Sequence, residues 1–270
     1  MKPDEFKLLA DLLKKRSGLT LTEDKVYLIE SRLLPVARIR NLRDLSHLCE
    51  LVRLNPAEDM LVEITEAMTT NESSFFRDIK PYDHLRQIVF PMLMQKLSMQ
   101  KHMRIWSAAC STGQEPYSVA ICIQEDAAKM PGWRFDIVAT DLAGKVVEKA
   151  KLGIYSQFEA QRGLPIQMLI KYFQALPDTS WQLKDAIRSM VQFRTQNLLE
   201  NYSPLGKFDI IFCRNVLIYF DDATKAQITE KMTCALQPHG ILILGSTESL
   251  VDPKGRFTAL DEFRGAYRLK

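Results

Sequence analysis

Apolar positions recur at helical spacing through the first 75 residues. In "EFKLLADLLKKRSGL" Phe6, Leu9, Leu12 and Leu13 fall on one face, which predicts a helix that stops at Gly18. "TEDKVYLIESRLL" predicts a second helix with Thr22 as its N-cap, and Pro35 is expected to break or kink it. "AEDMLVEITEAMTT" predicts another. Nothing here alternates as a strand does, so residues 1–75 read as an all-α N-terminal domain.

The pattern changes after about residue 76. Short apolar runs appear in "HMRIWSAA", "RFDIVATD", "VQFRTQNL", "FDIIFCRNVLIYF", "GILILGS" and "GAYRLK". Helical runs such as "YSVAICIQEDAAK" and "GKVVEKAKLGIY" separate the first of them. Strand alternating with helix predicts an α/β domain with a mostly parallel sheet. Residues 157–190 interrupt that rhythm and read as an inserted subdomain.

Composition narrows the classes. The net charge of +3 over 270 residues gives no argument for nucleic acid. No apolar run approaches the roughly 18–20 residues that span a bilayer, and the N-terminus lacks a secretory signal pattern. A cytoplasmic protein without membrane insertion is expected. Five scattered cysteines without a C-x-x-C and four scattered histidines favour neither a metal site nor a disulfide framework.

The chemistry concentrates beyond the predicted strand ends, where open α/β sheets bind ligands. "WSAACSTGQEPYS" is a strand–turn–helix with a single glycine. A dinucleotide pyrophosphate needs several glycines and a helix N-terminus free of acid. Here Glu115 stands at the helix start, which opposes a phosphate and suits a cationic ligand such as S-adenosylmethionine; the alternative is an acid that merely satisfies the helix dipole. Asp141 closes the second strand, where an acid can accept ribose hydroxyls or cap the next helix. Arg214 and Asn215 end the strand "FDIIFC", with Tyr219 shortly after. "TTNESSFFR" is a polar junction that reads by itself as a capping box with packing aromatics. "RLLPVARIRNLR" carries four arginines and no acid, a face suited to an acidic partner or to solvent.

Together, "TTNESSFFR", "SAACSTGQEPYS", "ATD", "KAKLGIY", "NLLE" and "FDIIFCRNVLIYF" resemble the CheR family, the chemotaxis receptor glutamate methyltransferases, in family order from about residue 69 to 220. The resemblance implies an S-adenosylmethionine-dependent methyltransferase (Rossmann-like) sheet at 76–270, the helical receptor-facing domain at 1–75, and a small inserted β-subdomain at about 157–192. It implies that Asn71, Ser73 and Arg77 reach the cofactor, that Glu115 and Asp141 hold its methionine and ribose ends, that Asn197 and Leu198 lie near the adenine, and that Arg214 and Asn215 lie beside it. Arg77 and Tyr219 are the pair nearest the transferred methyl, and Arg32 and Arg38 align with arginines that face the receptor's helical bundle. The implied activity is methyl transfer from S-adenosylmethionine to receptor glutamates, with S-adenosylhomocysteine as product. The alternative is a non-catalytic adaptor that binds S-adenosylmethionine.

Three departures stand out. Ser73 replaces a threonine common in the family but keeps the hydroxyl. Pro35 interrupts the arginine-bearing helix. The loop "QALPDTSWQLKD" is shorter than the glycine-containing loop of members that dock a receptor's C-terminal pentapeptide, so no such tether is expected. A monomer is expected as well.

Overall fold

The computed structural model describes residues 1–54 and 56–270. The chain divides into two compact units, residues 1–70 with 218–224 and residues 71–217 with 225–270.

The first unit is helical. α1 (Pro3–Ser17) carries Asp4 and Glu5 in its first turn and Lys14, Lys15 and Arg16 in its last, each sign matching the helix dipole. It stops at Gly18, whose φ of 80° is the left-handed cap only glycine adopts freely. α2 (Val26–Ile39), α3 (Leu45–Leu54) and α4 (Glu58–Met68) follow. Leu9, Leu13, Ile29, Leu33, Leu48, Cys49 and Ile64 are fully buried in one apolar core.

Two expectations are corrected in part in this unit. α2 runs unbroken through Pro35. Proline removes one hydrogen bond, but Leu33, Val36 and Ala37 on the buried face keep the turns packed around it. Thr22 holds the N-cap position of a single 3₁₀ turn at Glu23–Lys25 that leads into α2, but its hydroxyl turns to the Asp24 carboxylate and makes no capping bond; the N-cap of α2 itself is Lys25.

A piece distant in sequence completes the unit. Phe220 forms a β-bridge with Leu19, and the Thr20 amide donates to the Tyr219 carbonyl at 3.0 Å. Lys14 pairs with Asp221 at 2.7 Å and donates to Thr224 Oγ1 at 2.6 Å.

The second unit begins with α5 (Lys80–His84), a π-helical turn at Leu85–Val89 and α6 (Phe90–Lys96). Strands and helices then alternate: β1 (His102–Ala108), α7 (Gln114–Glu125), β2 (Arg134–Asp141) and α8 (Gly144–Leu152). β3 (Ile154–Tyr155), α9 (Gln157–Gln161), α10 (Ile166–Tyr172), β4 (Phe173–Ala175), β5 (Trp181–Leu183) and α11 (Asp185–Arg188) come next. β6 (Val191–Thr195), β7 (Phe208–Cys213), α12 (Asp222–Ala235), β8 (Leu236–Leu244), β9 (Phe257–Leu260) and β10 (Phe263–Leu269) end the chain.

The main sheet has the order β6-β2-β1-β7-β8-β10-β9. It is parallel from β6 to β8, and β10 pairs antiparallel with both β8 and β9. β7 is buried at all six positions, as a strand covered on both faces must be, which is why its sequence, Asp209 aside, is an apolar run without alternation. β3, β5 and β4 form a separate small antiparallel sheet; β4 and β5 lie within the inserted stretch, and β3 lies just ahead of its expected start at 157. Strand order reverses between β1 and β7, which puts the ligand crevice beyond their C-terminal ends.

Candidate functional site

The turn after β1 is built around strained backbone. Ala109 and Ser111 take φ of 57° and 51°, and Gly113 takes 92°. A Cβ on Gly113 would lie 3.1 Å from Ala150 Cβ and 3.2 Å from both Phe193 Cζ and Tyr117 Cε2. This glycine therefore lets α7, α8 and β6 approach one another. It opens no cradle for a phosphate, which is why one glycine suffices.

Two carboxylates organise the crevice. Glu115, in the first turn of α7, accepts from Ser107 Oγ at 2.8 Å and from Arg214 Nη1 at 3.0 Å. Burial pushes its carboxyl above the ordinary value, while the Arg214 charge and the Ser107 hydrogen bond pull it back. Asp141, at the end of β2, accepts from the Ser111 amide at 2.9 Å and the Ala143 amide at 3.0 Å. It ties the first turn to the second and is not the N-cap of α8, a position held by Ala143.

Arg214 links these elements to the segment before α5. Its Nη2 donates to the Arg77 carbonyl at 3.0 Å and to Asp78 Oδ2 at 2.8 Å. Phe76, Asp78 and Ile79 in that segment have φ of 49°, 69° and 52°. The Phe76 amide donates to Ser118 Oγ at 2.9 Å, and Ser111 Oγ donates to the Asn71 carbonyl at 2.7 Å. Of nine non-glycine residues with positive φ among the described residues, six lie in these turns: Phe76, Asp78, Ile79, Ala109, Ser111 and Asn215. Backbone strain concentrates where a structure over-determines a binding site. No helix begins in 69–77, so the capping-box alternative for "TTNESSFFR" fails.

The charges joined here are the carboxylates of Asp78, Glu115 and Asp141 and the guanidinium of Arg214. The two buried acids, Glu115 and Asp141, beside Arg214 give the crevice acceptors suited to a cationic, phosphate-free ligand.

The remaining sequence candidates fall in several places. Arg77 is half-buried, with Nη1 donating to the Glu72 carbonyl at 3.3 Å, and Ser73 is half-buried in the same segment. Asn197 follows β6, its Oδ1 accepting from the Leu199 amide at 2.9 Å, and Leu198 is buried. The Gln196 amide donates to the Asp141 carbonyl at 2.9 Å, which joins this turn to the crevice. Hydrogen bonds and chain continuity thus bring Asn71, Arg77, Glu115, Asp141, Asn197, Arg214 and Asn215 into one connected set. Tyr219, Arg32 and Arg38 belong to the helical unit. There Arg32 donates to the carbonyls of Met68 at 2.7 Å and Thr69 at 3.0 Å and to Thr70 Oγ1 at 3.0 Å, closing the C-terminus of α4. Arg40 pairs with Asp59 and Glu63. Arg38 and Arg43 are exposed and pair with no acid among the described residues.

Ser107, Ser111, Asp78 and Glu248 were missed by the sequence reading. The rule that found Arg214, a polar residue just beyond an apolar strand, also marks Glu248 in "GSTES" after β8.

The SAM binding domain of the CheR methyltransferases matches residues 71–265, and their all-alpha domain matches residues 4–69. Chemotaxis protein methyltransferase Cher2 of Pseudomonas putida is 40% identical over 249 residues, covering 91% of this chain and 90% of that protein. Chemotaxis protein methyltransferase 1 of Pseudomonas aeruginosa is 42% identical over 250 residues, covering 91% and 90%. Chemotaxis protein methyltransferase 1 of Vibrio cholerae is 39% identical over 255 residues, covering 94% and 92%.

Proposed function

The chain belongs to the CheR methyltransferase family, with S-adenosylmethionine as its cofactor, and on that premise we propose that it methylates glutamate side-chain carboxylates of chemoreceptors. The observation that carries the reading is the charge of the crevice: buried Glu115 and Asp141, with the single guanidinium of Arg214 shared between Glu115 and Asp78. That donor set fits S-adenosylmethionine, which has a sulfonium, an ammonium and ribose hydroxyls but no phosphate. In this reading Glu115 and Arg214 serve the methionine end and Asp141 the ribose, while Asn71, Ser73, Arg77, Asn197, Leu198 and Asn215 line the rest.

When bound, the cofactor supplies an electrophilic methyl group on sulfur. A glutamate carboxylate has an ordinary pKa of about 4.3, so the nucleophile is ionised at neutral pH and the protein need supply no general base. The protein's work is positioning: it brings the carboxylate in line at about 3–3.5 Å and excludes water. Burying a carboxylate is costly, and a guanidinium such as Arg77 offsets that cost. Arg77 and Tyr219 therefore take orienting roles, not proton-transfer roles.

The substrate in this reading is the acidic cytoplasmic helical bundle of a receptor. Exposed Arg38 supports a docking role. The guanidinium of Arg32 is already engaged with the end of α4, so it contributes by holding that helix. The β4–β5 hairpin turns through Leu176–Ser180 without a glycine, and Thr179 takes the left-handed φ of 66°. That short turn supports a protein acting without the pentapeptide tether. Among the described residues, no helix is long and apolar enough to cross a membrane.

The test is methyl transfer from radiolabelled S-adenosylmethionine to membranes carrying the host's chemoreceptors, followed by alkali. Label released as methanol identifies a carboxyl ester. Cofactor binding with no label on any receptor refutes the assignment and leaves the adaptor reading. Micromolar affinity for a receptor pentapeptide would contradict tether-independence.

A further inference from the structure

Glu248 lies beyond the C-terminal end of β8, and no function assigned above uses it. Its Oε2 accepts from the amides of Asn215 at 2.7 Å and Gly245 at 2.7 Å, and its Oε1 from those of Val216 at 2.9 Å and Leu217 at 2.7 Å. Consecutive amides that converge on one point form a nest for an anion, and here the anion is the protein's own side chain. The left-handed φ of 59° at Asn215 is the bend that lets them converge. Gly245 leaves the room: a Cβ there would stand 2.6 Å from Glu248 Oε2 and 3.0 Å from the Asn215 amide nitrogen.

The nest begins one residue after Arg214, whose side chain holds Glu115, Asp78 and the Arg77 carbonyl. Four charge-assisted bonds from one carboxylate thus fix the backbone from which Arg214 and Asn215 project. We infer that Glu248 is a positioning residue for the cofactor crevice, acting through the turn at 214–217 without touching the cofactor. The inference rests on the reading that Arg214 and Asn215 border S-adenosylmethionine. It does not depend on glutamate being the methyl acceptor.

Glu248→Gln keeps the shape but leaves one acceptor oxygen and turns an amide donor toward the nest. Calorimetric titration of the full chain with S-adenosylhomocysteine should show Kd raised at least about tenfold, the size expected for losing charged hydrogen bonds. Glu248→Asp, one methylene shorter, should give a smaller rise. The control for a merely structural effect is Asp209→Asn. Asp209 is buried at the opposite end of the neighbouring β7 and holds His239 Nε2 at 2.6 Å and the Arg104 amide at 2.7 Å. That variant should lose thermal stability and keep its affinity. A folded Glu248→Gln protein that binds within about threefold of wild type overturns the inference, as does an equal loss in Asp209→Asn. Should Glu248→Gln not fold, Glu248→Asp decides, with wild-type affinity again overturning the inference. Wild-type protein that fails to bind S-adenosylhomocysteine would instead sink the reading of the crevice, and this inference with it.

Discussion

Replacing Arg214 by methionine, a side chain of similar length, removes the cation of the crevice together with its hydrogen bonds to Asp78 and the Arg77 carbonyl. The Arg214 side chain is 1% exposed and that of Glu115 11%, with 3.0 Å between Nη1 and Oε2. At an effective dielectric near 20, two unit charges at that separation attract by about 5–6 kcal/mol. The contact to Asp78 adds little, because the Asp78 side chain is 36% exposed and screened. Desolvation of both ions offsets part of the attraction. Removing only the cation leaves the buried carboxylate alone, a change that costs about 3–5 kcal/mol.

The expected result in urea denaturation without ligand is a loss of that size at pH 7.5, with the slope unchanged. The double variant with Glu115→Gln should cost at least about 1–2 kcal/mol less than the two single losses summed. The pH dependence has a fixed sign. With Arg214 gone, burial holds the folded-state pKa of Glu115 further above its ordinary 4.5. A carboxyl raised on folding gives its full contribution below the unfolded pKa and loses it as pH rises through the folded one. The deficit against wild type is therefore smallest near pH 5 and grows toward pH 8. A deficit under about 1 kcal/mol at pH 7.5, or one that does not change between pH 5 and 8, would refute the argument.

Tyr219→Phe should lower the methyl-transfer rate constant more than it weakens S-adenosylhomocysteine binding; the reverse pattern removes Tyr219 from the reaction. Arg86 holds the buried Asp126 carboxylate down to about 2, so Asp126→Asn should cost roughly 2 kcal/mol, trimmed because a third of Arg86 is in solvent. That contribution is complete above the unfolded value of 3.8 and disappears as pH falls through about 2, so the gap in denaturation midpoint should stay constant from pH 7 to 5. Burial raises the thiols of Cys49 and Cys122 to about 11 and about 12, and those of Cys110 and Cys213 well above the ordinary value, while Cys234 is exposed. Ellman's reagent should therefore find one fast thiol in the native protein, lost in Cys234→Ser; a second fast thiol would contradict the burial.

The parallel strands were legible because strands covered on both faces must be apolar runs, and the crevice because polar residues interrupt those runs at their C-terminal ends. Glu115, Asp141 and Arg214 were visible by that rule. Their partners were not: the Arg214–Glu115 pair spans 99 positions, and nothing local in "CRN" says which acid it meets. Arg32 shows how a local pattern hides a long reach. Beside Arg38 and Arg40 it read as one basic face, but the length of its side chain carries it to the end of α4. The break expected at Pro35 was over-read, because burial along a helix outweighs one missing bond. Glu248 escaped because its role lies in what backbone amides do, and sequence shows only side chains.

The return of residues 218–224 to the helical unit bears on how such a protein can be recombined. A chimera that takes only residues 1–70 from a relative leaves Asp221, Phe220 and Tyr219 facing foreign residues in place of Lys14, Leu19 and Thr20. The inheritable module is therefore discontinuous, and the two stretches must travel, or mutate, together. Pairs such as Lys14 and Asp221 are where co-variation between relatives should register first.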